Sequence, residues 1–184
     1  MAIDLLVTAH QDLSGADLDR LRELFDDEYL HDFGDWNPER PYGYAPADFH
    51  VTATRAGKLL GHVGFQMRTI GVGDRDVRVA GVGGVLVSDA ARGSGLGSHL
   101  MHRAQKSMRG DAAVSFGYLG CRPEVVPFYE SVGWTLVHAR ERHTARLNPA
   151  EIIESDSAPI LICSAVQPVH AWPEGDVDLR GGAW

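Results

Sequence analysis

The sequence predicts a mixed α/β (α+β) fold, with about seven strands in a central sheet flanked by helices. Three observations predict it. Val85-Leu86-Val87 reads as the end of a strand, and a glycine-rich stretch follows at once. After that stretch, Leu96, Leu100, Met101 and Ala104 recur at helical spacing. Elsewhere, short apolar runs bounded by glycine, proline and polar residues alternate with helical patterns. The chain has 184 residues, 44% of them hydrophobic and 23% charged. That is ordinary for one soluble domain with a sizeable core, so residues 1–184 read as a single domain.

Taken in order, Ile3 to Thr8 alternates as a first strand. Ser14-x-x-Asp17 is the signature of a capped helix start, and Leu18, Leu21, Phe25 and Tyr29 follow at helical spacing. The helix turns acidic at Asp26, Asp27 and Glu28. The segment from His31 to Pro46 is rich in proline and glycine and reads as an irregular loop. It carries acids and aromatics, among them Asp32, Asp35, Trp36 and Tyr42. Two readings are open for it. It is a recognition loop, with flat faces for a ring and carboxylates for ammonium groups, or a surface loop pinned by Trp36 and Tyr42.

Phe49 to Arg55 and Leu59 to Ile70, joined by Ala56-Gly57-Lys58, read as a hairpin. A turn at Gly71-Val72-Gly73-Asp74 leads to a strand from Val77 to Val87. Gly81, Gly83 and Gly84 inside that strand point to a bulge or a close backbone approach. Ser98 to Met108 reads as a helix and Ala113 to Tyr118 as a strand. Val126 to Gly133 is a second short helix, and Trp134 to Val137 a strand. Arg140 to Asp156 is charged and reads as a loop. Pro159 to Ala165 reads as a buried final strand.

The stretch Arg92-Gly93-Ser94-Gly95-Leu96-Gly97-Ser98 carries the chemistry. Strand, glycine loop and helix together make a phosphate site. Glycines let the backbone approach and aim several N–H groups at one place. The helix N-terminus adds partial positive charge, and Arg92 a full one. A plain strand–helix turn is the other reading. No Gly-Lys-Ser/Thr follows, so this is not a Walker loop, and the glycine spacing is wrong for a dinucleotide fingerprint.

Arg92 to Gly97 fits the pattern Arg/Gln-x-x-Gly-x-Gly/Ala, and Val126-Pro127-Phe128-Tyr129-Glu130-Ser131-Val132-Gly133-Trp134 follows it in the chain. Together these resemble motifs A and B of the GNAT superfamily of N-acetyltransferases. The resemblance implies the GNAT fold, with the strand before the loop splayed from its neighbour. It implies acetyl-coenzyme A as cofactor, its pyrophosphate on the amides of Arg92 to Gly97 and its pantetheine arm along Val85, Leu86 and Val87. It further implies Tyr129 as the acid that protonates the departing thiolate, or as a packing aromatic whose hydroxyl orients coenzyme A.

The layout further resembles the aminoglycoside 2'-N-acetyltransferases. The matching stretches are Gly81 to Val85, Met108-Arg109-Gly110, Tyr129 to Trp134, Trp172 to Val177 and Trp184. The Phe33-Gly34-Asp35-Trp36 and Arg40-Pro41-Tyr42-Gly43-Tyr44 segments resemble the kasugamycin-acetylating branch. This implies an antibiotic-resistance role, with Glu28, Asp32, Asp35, Trp36, Asp176 and the Trp184 α-carboxylate at the acceptor. Gly83 is a departure, because it falls where the family carries a candidate base. An acetyltransferase for another amine or peptide, and a non-catalytic acyl-coenzyme A-binding sensor, are the alternatives.

The formal charge of −8 argues against nucleic acid and favours a small cationic partner, or serves solubility alone. No apolar run is long enough to span a membrane, and the start lacks a signal-peptide pattern, so cytoplasm is expected. Cys121 and Cys163 make no disulfide framework, and nothing around Cys121 marks it as a nucleophile. His99 and His102 share a helix face without a third metal ligand, so no metal is expected. A homodimer is a family precedent.

Overall fold

A computed structural model describes residues 2–42 and 44–184. Met1 and Gly43, the latter within the aromatic loop segment, lie outside the described residues. Ten strands and three α-helices are found among the described residues. The chain divides into two compact units, residues 1–66 with 83–104, and residues 67–82 with 105–184. Strands β3 (Lys58–Val72) and β4 (Arg75–Val87) and helix α2 (Leu96–Arg109) each run from one unit into the other.

In the first unit, β1 (Asp4–Ala9) pairs antiparallel with β2 (Phe49–Arg55), which pairs antiparallel with β3. The β2–β3 turn places Ala56 and Gly57 at φ 52 and φ 81. Both central residues lie in the left-handed region that a tight hairpin requires. Helix α1 (Gly15–Phe33) opens on the expected capping box. The Ser14 side chain accepts from the Asp17 amide at 3.2 Å, and Asp17 accepts from the Ser14 amide at 2.9 Å. The helix buries Leu21, Leu24 and Phe25 against Trp36, Leu59 and Leu86.

In the second unit, the strand order is β6-β9-β5-β4-β3-β10-β7-β8. Here β5 is Phe116–Gly120, β6 Thr135–Val137, β7 Glu141–Thr144, β8 Ile152–Ser155, β9 Ile160–Ser164 and β10 Val177–Gly182. The pairs β4–β5 and β10–β7 are parallel, and β10–β3, β5–β9, β6–β9 and β7–β8 antiparallel, so the sheet is mixed. Helix α3 (Val126–Ser131) precedes β6. Met108 of α2 lies over Gly117 of β5, where a Cβ would come within 3.2 Å of its sulfur.

Several expectations need correction. Among the described residues the strands number ten rather than about seven. Arg140 to Asp156 holds the β7–β8 hairpin rather than a loop; both strands are short and lack a continuous apolar face. The strand at Ile160–Ser164 is buried as expected but is not final, because β10 follows it. β5 starts at Phe116, not Ala113; Val114 is buried ahead of the strand and extends the apolar run. Helix α1 continues to Phe33, so Asp32 sits in its last turn.

Candidate functional site

The glycine loop is built within the first unit. Val85, Leu86 and Val87 end β4, and the Ser88 amide donates to the Leu60 carbonyl at 2.9 Å. A single 3-10 turn, Asp89–Ala91, leads to Arg92. Gly93 and Gly95 have φ of +76 and +80, a conformation that any side chain would strain, and nothing lies within 4 Å of an added Cβ. Helix α2 begins at Leu96, so Leu96, Gly97 and Ser98 occupy its first turn rather than the loop. Their N–H groups have no intrahelical carbonyl to bind. The Ser94 hydroxyl turns inward and donates to the Ala91 carbonyl at 2.6 Å. The Ser88 hydroxyl is buried without a hydrogen-bond partner among the described residues. Open glycines and unsatisfied first-turn amides fit the pyrophosphate of coenzyme A.

Arg92 has carboxylate partners in this structure. Its guanidinium lies 2.5 Å from Glu28 and 2.5 Å from Asp89, and Nε donates to the Val87 carbonyl at 3.2 Å. The hydrogen bond to Glu28 raises its pKa further. Two carboxylates balance its charge, and through them Arg92 ties the loop to α1 and to its own 3-10 turn. The same contact commits Glu28, which had been a candidate for acceptor binding.

Just before the loop, the β4 backbone turns left-handed at one residue. Gly84 takes φ +61, and an added Cβ would lie 2.8 Å from the Tyr44 ring. Gly83 is half-buried and has no left-handed φ. The Gly84 carbonyl accepts from His62 at 2.7 Å, and His62, His50 and His10 form a file of hydrogen bonds. His50 and His62 are 2% and 1% exposed. Burial pushes their pKa values down, to about 3 for His50 and about 4 for His62, with neighbouring imidazoles adding to the effect at His50. Sequence reasoning missed these residues. The available signal was a histidine in each of two adjacent apolar strands.

The residues expected at the acceptor divide. Asp32 and Asp35 are exposed. Trp36 is not available as a flat face: it is 2% exposed and stacks on Phe25 at 5.2 Å with an interplanar angle of 3°. Its indole N–H donates to the Tyr44 hydroxyl at 3.1 Å, and its amide to Asp26 at 2.8 Å. Trp36 is thus a core residue. The hydroxyl of Tyr42 lies 2.8 Å from both Asp26 and the Gly34 carbonyl, so the loop is pinned from inside.

In the second unit, Tyr129 lies on α3 at 8% exposure, with Phe128 and Trp134 edge-on to it at 5.1 and 6.4 Å. The parallel register of β4 and β5 ends at Gly81 opposite Tyr118. Trp184 is 9% exposed and covers Gly81, where a Cβ would come within 2.0 Å of the indole. The Arg68 guanidinium lies 4.1 Å over the same ring. Asp176 is exposed, while its carbonyl accepts from the Gly73 amide at 2.9 Å. Tyr118, Glu141 and His143 form a second polar cluster that the sequence did not reveal. Tyr118 donates to Glu141, and His143 Nδ1 lies 3.2 Å from the same carboxylate. Burial raises the thiol pKa of Cys121, and that of Cys163 to about 12, so neither is activated. No group of three or more metal-ligating side chains is found among the described residues. Among them, no helix is long and apolar enough to cross a membrane.

A family profile described as Acetyltransferase (GNAT) family matches residues 18–134. Similar solved structures include ElaA of Escherichia coli, at 20% identity and a TM-score of 0.64, covering 89% of this chain and 100% of that one. YhbS of Escherichia coli, a GNAT family N-acetyltransferase in complex with CoA, aligns at 17% identity and a TM-score of 0.63, covering 97% and 91%. An acyl-CoA N-acyltransferase from Pseudomonas aeruginosa aligns at 23% identity and a TM-score of 0.60, covering 89% and 100%.

Proposed function

The chain belongs to the acetyltransferase (GNAT) family, whose members use acetyl-coenzyme A, and we propose that its acceptor is an amino group of an aminoglycoside antibiotic. The 2'-amine is the favoured position, kasugamycin the favoured substrate, and resistance the outcome. The observation that carries the acetyl-transfer reading is the open glycine loop at Gly93 and Gly95, running into the first turn of α2. Support for a cationic acceptor comes from the exposed carboxylates of Asp32, Asp35 and Asp176 and the net charge of −8. Burial of Trp36 removes its face from recognition, while Phe33 at the end of α1 stays exposed beside the carboxylates. A polyamine meets those equally well and is the second reading.

Acetyl-coenzyme A supplies the acyl group as a thioester. The chain's own residues do the rest. Amides of the Arg92 to Gly97 stretch would hold the pyrophosphate. Main-chain groups of Val85 to Val87 would line the arm, and an N–H of this segment would stabilise the thioester oxygen as it gains negative charge. A C–N bond forms as the C–S bond breaks. The amine gives up one proton and the thiolate takes one. Tyr129 is the proposed donor to the thiolate, since a phenol of pKa about 10 lies in the range of an alkyl thiol. Gly83 offers no base and Glu28 is committed to Arg92, so the acceptor proton passes to another carboxylate or to water.

The test is thiol release from acetyl-coenzyme A against kasugamycin, deoxystreptamine aminoglycosides, polyamines and short peptides. Release with kasugamycin or other aminoglycosides is the expected result. Release confined to polyamines or peptides overturns the acceptor. Silence with retained coenzyme A binding points to the sensor alternative.

A further inference from the structure

Three imidazoles of the first unit form one hydrogen-bonded file. His10 Nδ1 lies 3.0 Å from His50 Nε2, and His50 Nδ1 lies 2.9 Å from His62 Nε2. His62 Nδ1 lies 2.7 Å from the Gly84 carbonyl oxygen. The last contact fixes the others. A carbonyl only accepts, so His62 donates from Nδ1–H. Neutral His62 then accepts at Nε2 from His50, and His50 accepts at Nε2 from His10. Every ring is held in one tautomer, and every donor points toward Gly84. The outer end is half-buried His10, whose Nε2 lies 3.5 Å from Glu39.

This file is not a path for the proton of an acceptor amine. Its inner end is an N–H already bound to an amide oxygen, and an amide oxygen is too weak a base to pass a proton on. What the file delivers is polarisation. Chained hydrogen bonds strengthen one another, by roughly 10–30% per bond in condensed phases. The Gly84 carbonyl belongs to the same planar trans peptide as the Val85 N–H, and the two bonds point in opposite directions. Drawing electron density toward the Gly84 oxygen therefore strengthens Val85 N–H as a donor, on the side of β4 facing away from the carbonyl. The left-handed φ at Gly84 sets the tilt of this peptide, with the Tyr44 ring packed where a Cβ would be.

We propose that His62 is a positioning residue for acyl transfer: through the Gly84–Val85 peptide it aims and strengthens the Val85 N–H toward the thioester oxygen, with His50 and His10 extending the file behind it. The proposal rests on the acetyl-transfer reading above. It assigns a role to buried histidines that the phosphate loop and the proton donor do not use.

The test uses the full chain and two variants. His62→Asn keeps a side-chain N–H near the place of Nδ1, and His62→Leu removes the donor. The first readout is the Val85 amide proton resonance of the ligand-free protein, with the tautomers of His50 and His62 from their ring nitrogen shifts. Nδ1-protonated rings are expected, with the Val85 resonance moved upfield in His62→Leu and held near its original place in His62→Asn. The second readout is thiol release. Weakening rather than deleting an oxyanion donor predicts kcat lowered about tenfold in His62→Leu. The KM for acetyl-coenzyme A stays unchanged, and most of the rate returns in His62→Asn. An Nε2-protonated His62, an unmoved Val85 resonance in His62→Leu, or equal kcat loss in both variants overturns the proposal. If the unaltered protein releases no thiol with any amine or with water, the acetyl-transfer reading fails, and with it the catalytic role of His62. A shifted Val85 resonance then still establishes the polarised peptide, which separates the two failures.

Discussion

Acidification from pH 7.5 to pH 5 tests the buried histidines directly. In the folded chain His50 and His62 have pKa values depressed to about 3 and about 4. An unfolded histidine titrates near 6.5. Between these values the unfolded chain binds protons that the folded chain refuses. Stability is therefore full above the unfolded pKa and falls as pH drops toward the folded values. At pH 5 each ring sits about 1.5 units below its unfolded pKa, which corresponds to about 2 kcal/mol per ring. The pair thus removes about 4 kcal/mol, a large part of the roughly 5–15 kcal/mol that holds a domain together. The slope near pH 5 approaches two protons taken up on unfolding, or about 2.5 kcal/mol per pH unit. Urea denaturation at closely spaced pH values measures this slope. The double variant His50→Gln with His62→Asn removes both titrating rings, and its slope near pH 5 should be shallower by that amount. Parallel slopes for the two proteins would show that the file is not buried neutral, and the argument from Gly84 outward would fall with it.

Three substitutions probe the rest of the site. Gly95→Val puts a β-branched residue at φ +80 with nothing within 4 Å of its Cβ. It should cost about 1–3 kcal/mol in denaturation while abolishing coenzyme A binding by calorimetry; retained affinity refutes the loop assignment. Tyr129→Phe should lower turnover about tenfold or more with coenzyme A affinity unchanged, and unchanged turnover removes its role as proton donor. Gly81→Ala places a methyl 2.0 Å from the Trp184 ring. Overpacking there should cost about 1–3 kcal/mol, read as a lower midpoint and a changed indole fluorescence; a neutral result would mean that Trp184 does not hold its place over β4.

Where a local rule decided the structure, the sequence was readable. The Ser14–Asp17 box starts α1, the Ala56–Gly57 pair turns β2 into β3, and β2 runs from Phe49 to Arg55 as its composition predicts. The family motifs carried the fold, since their glycines hold left-handed conformations at Gly93, Gly95 and Gly133. Long-range partners were not readable. Glu28 and Arg92 stand far apart in the chain, and nothing local says that one neutralises the other. Trp36 looked like a recognition residue because prolines, glycines and acids surround it, yet its face is taken by Phe25. β10 does carry alternation, with buried Val177 and Leu179 alternating with Asp178 and Arg180, but in a short glycine-flanked tail.

The glycines of β4 show why one letter in a sequence carries different constraints. Gly81 is glycine because an indole lies on it, a packing reason. Gly84 is glycine because its backbone is left-handed and a tyrosine ring crowds it, a conformational reason that also sets the aim of the next peptide. Gly83, between them, has no left-handed φ, so its backbone conformation does not require glycine. What its lack of a side chain does fix is the chemistry at this point of the strand: no acid or base stands there. An enzyme with no carboxylate there must deprotonate its acceptor elsewhere or receive an amine that is already neutral. The second route predicts a rate that follows the acceptor's own pKa. Across a series of amines of falling basicity, thiol release at pH 7 should rise with the neutral fraction. A rate independent of that fraction would instead require a base, and would direct the search to the exposed carboxylates of Asp32, Asp35 and Asp176.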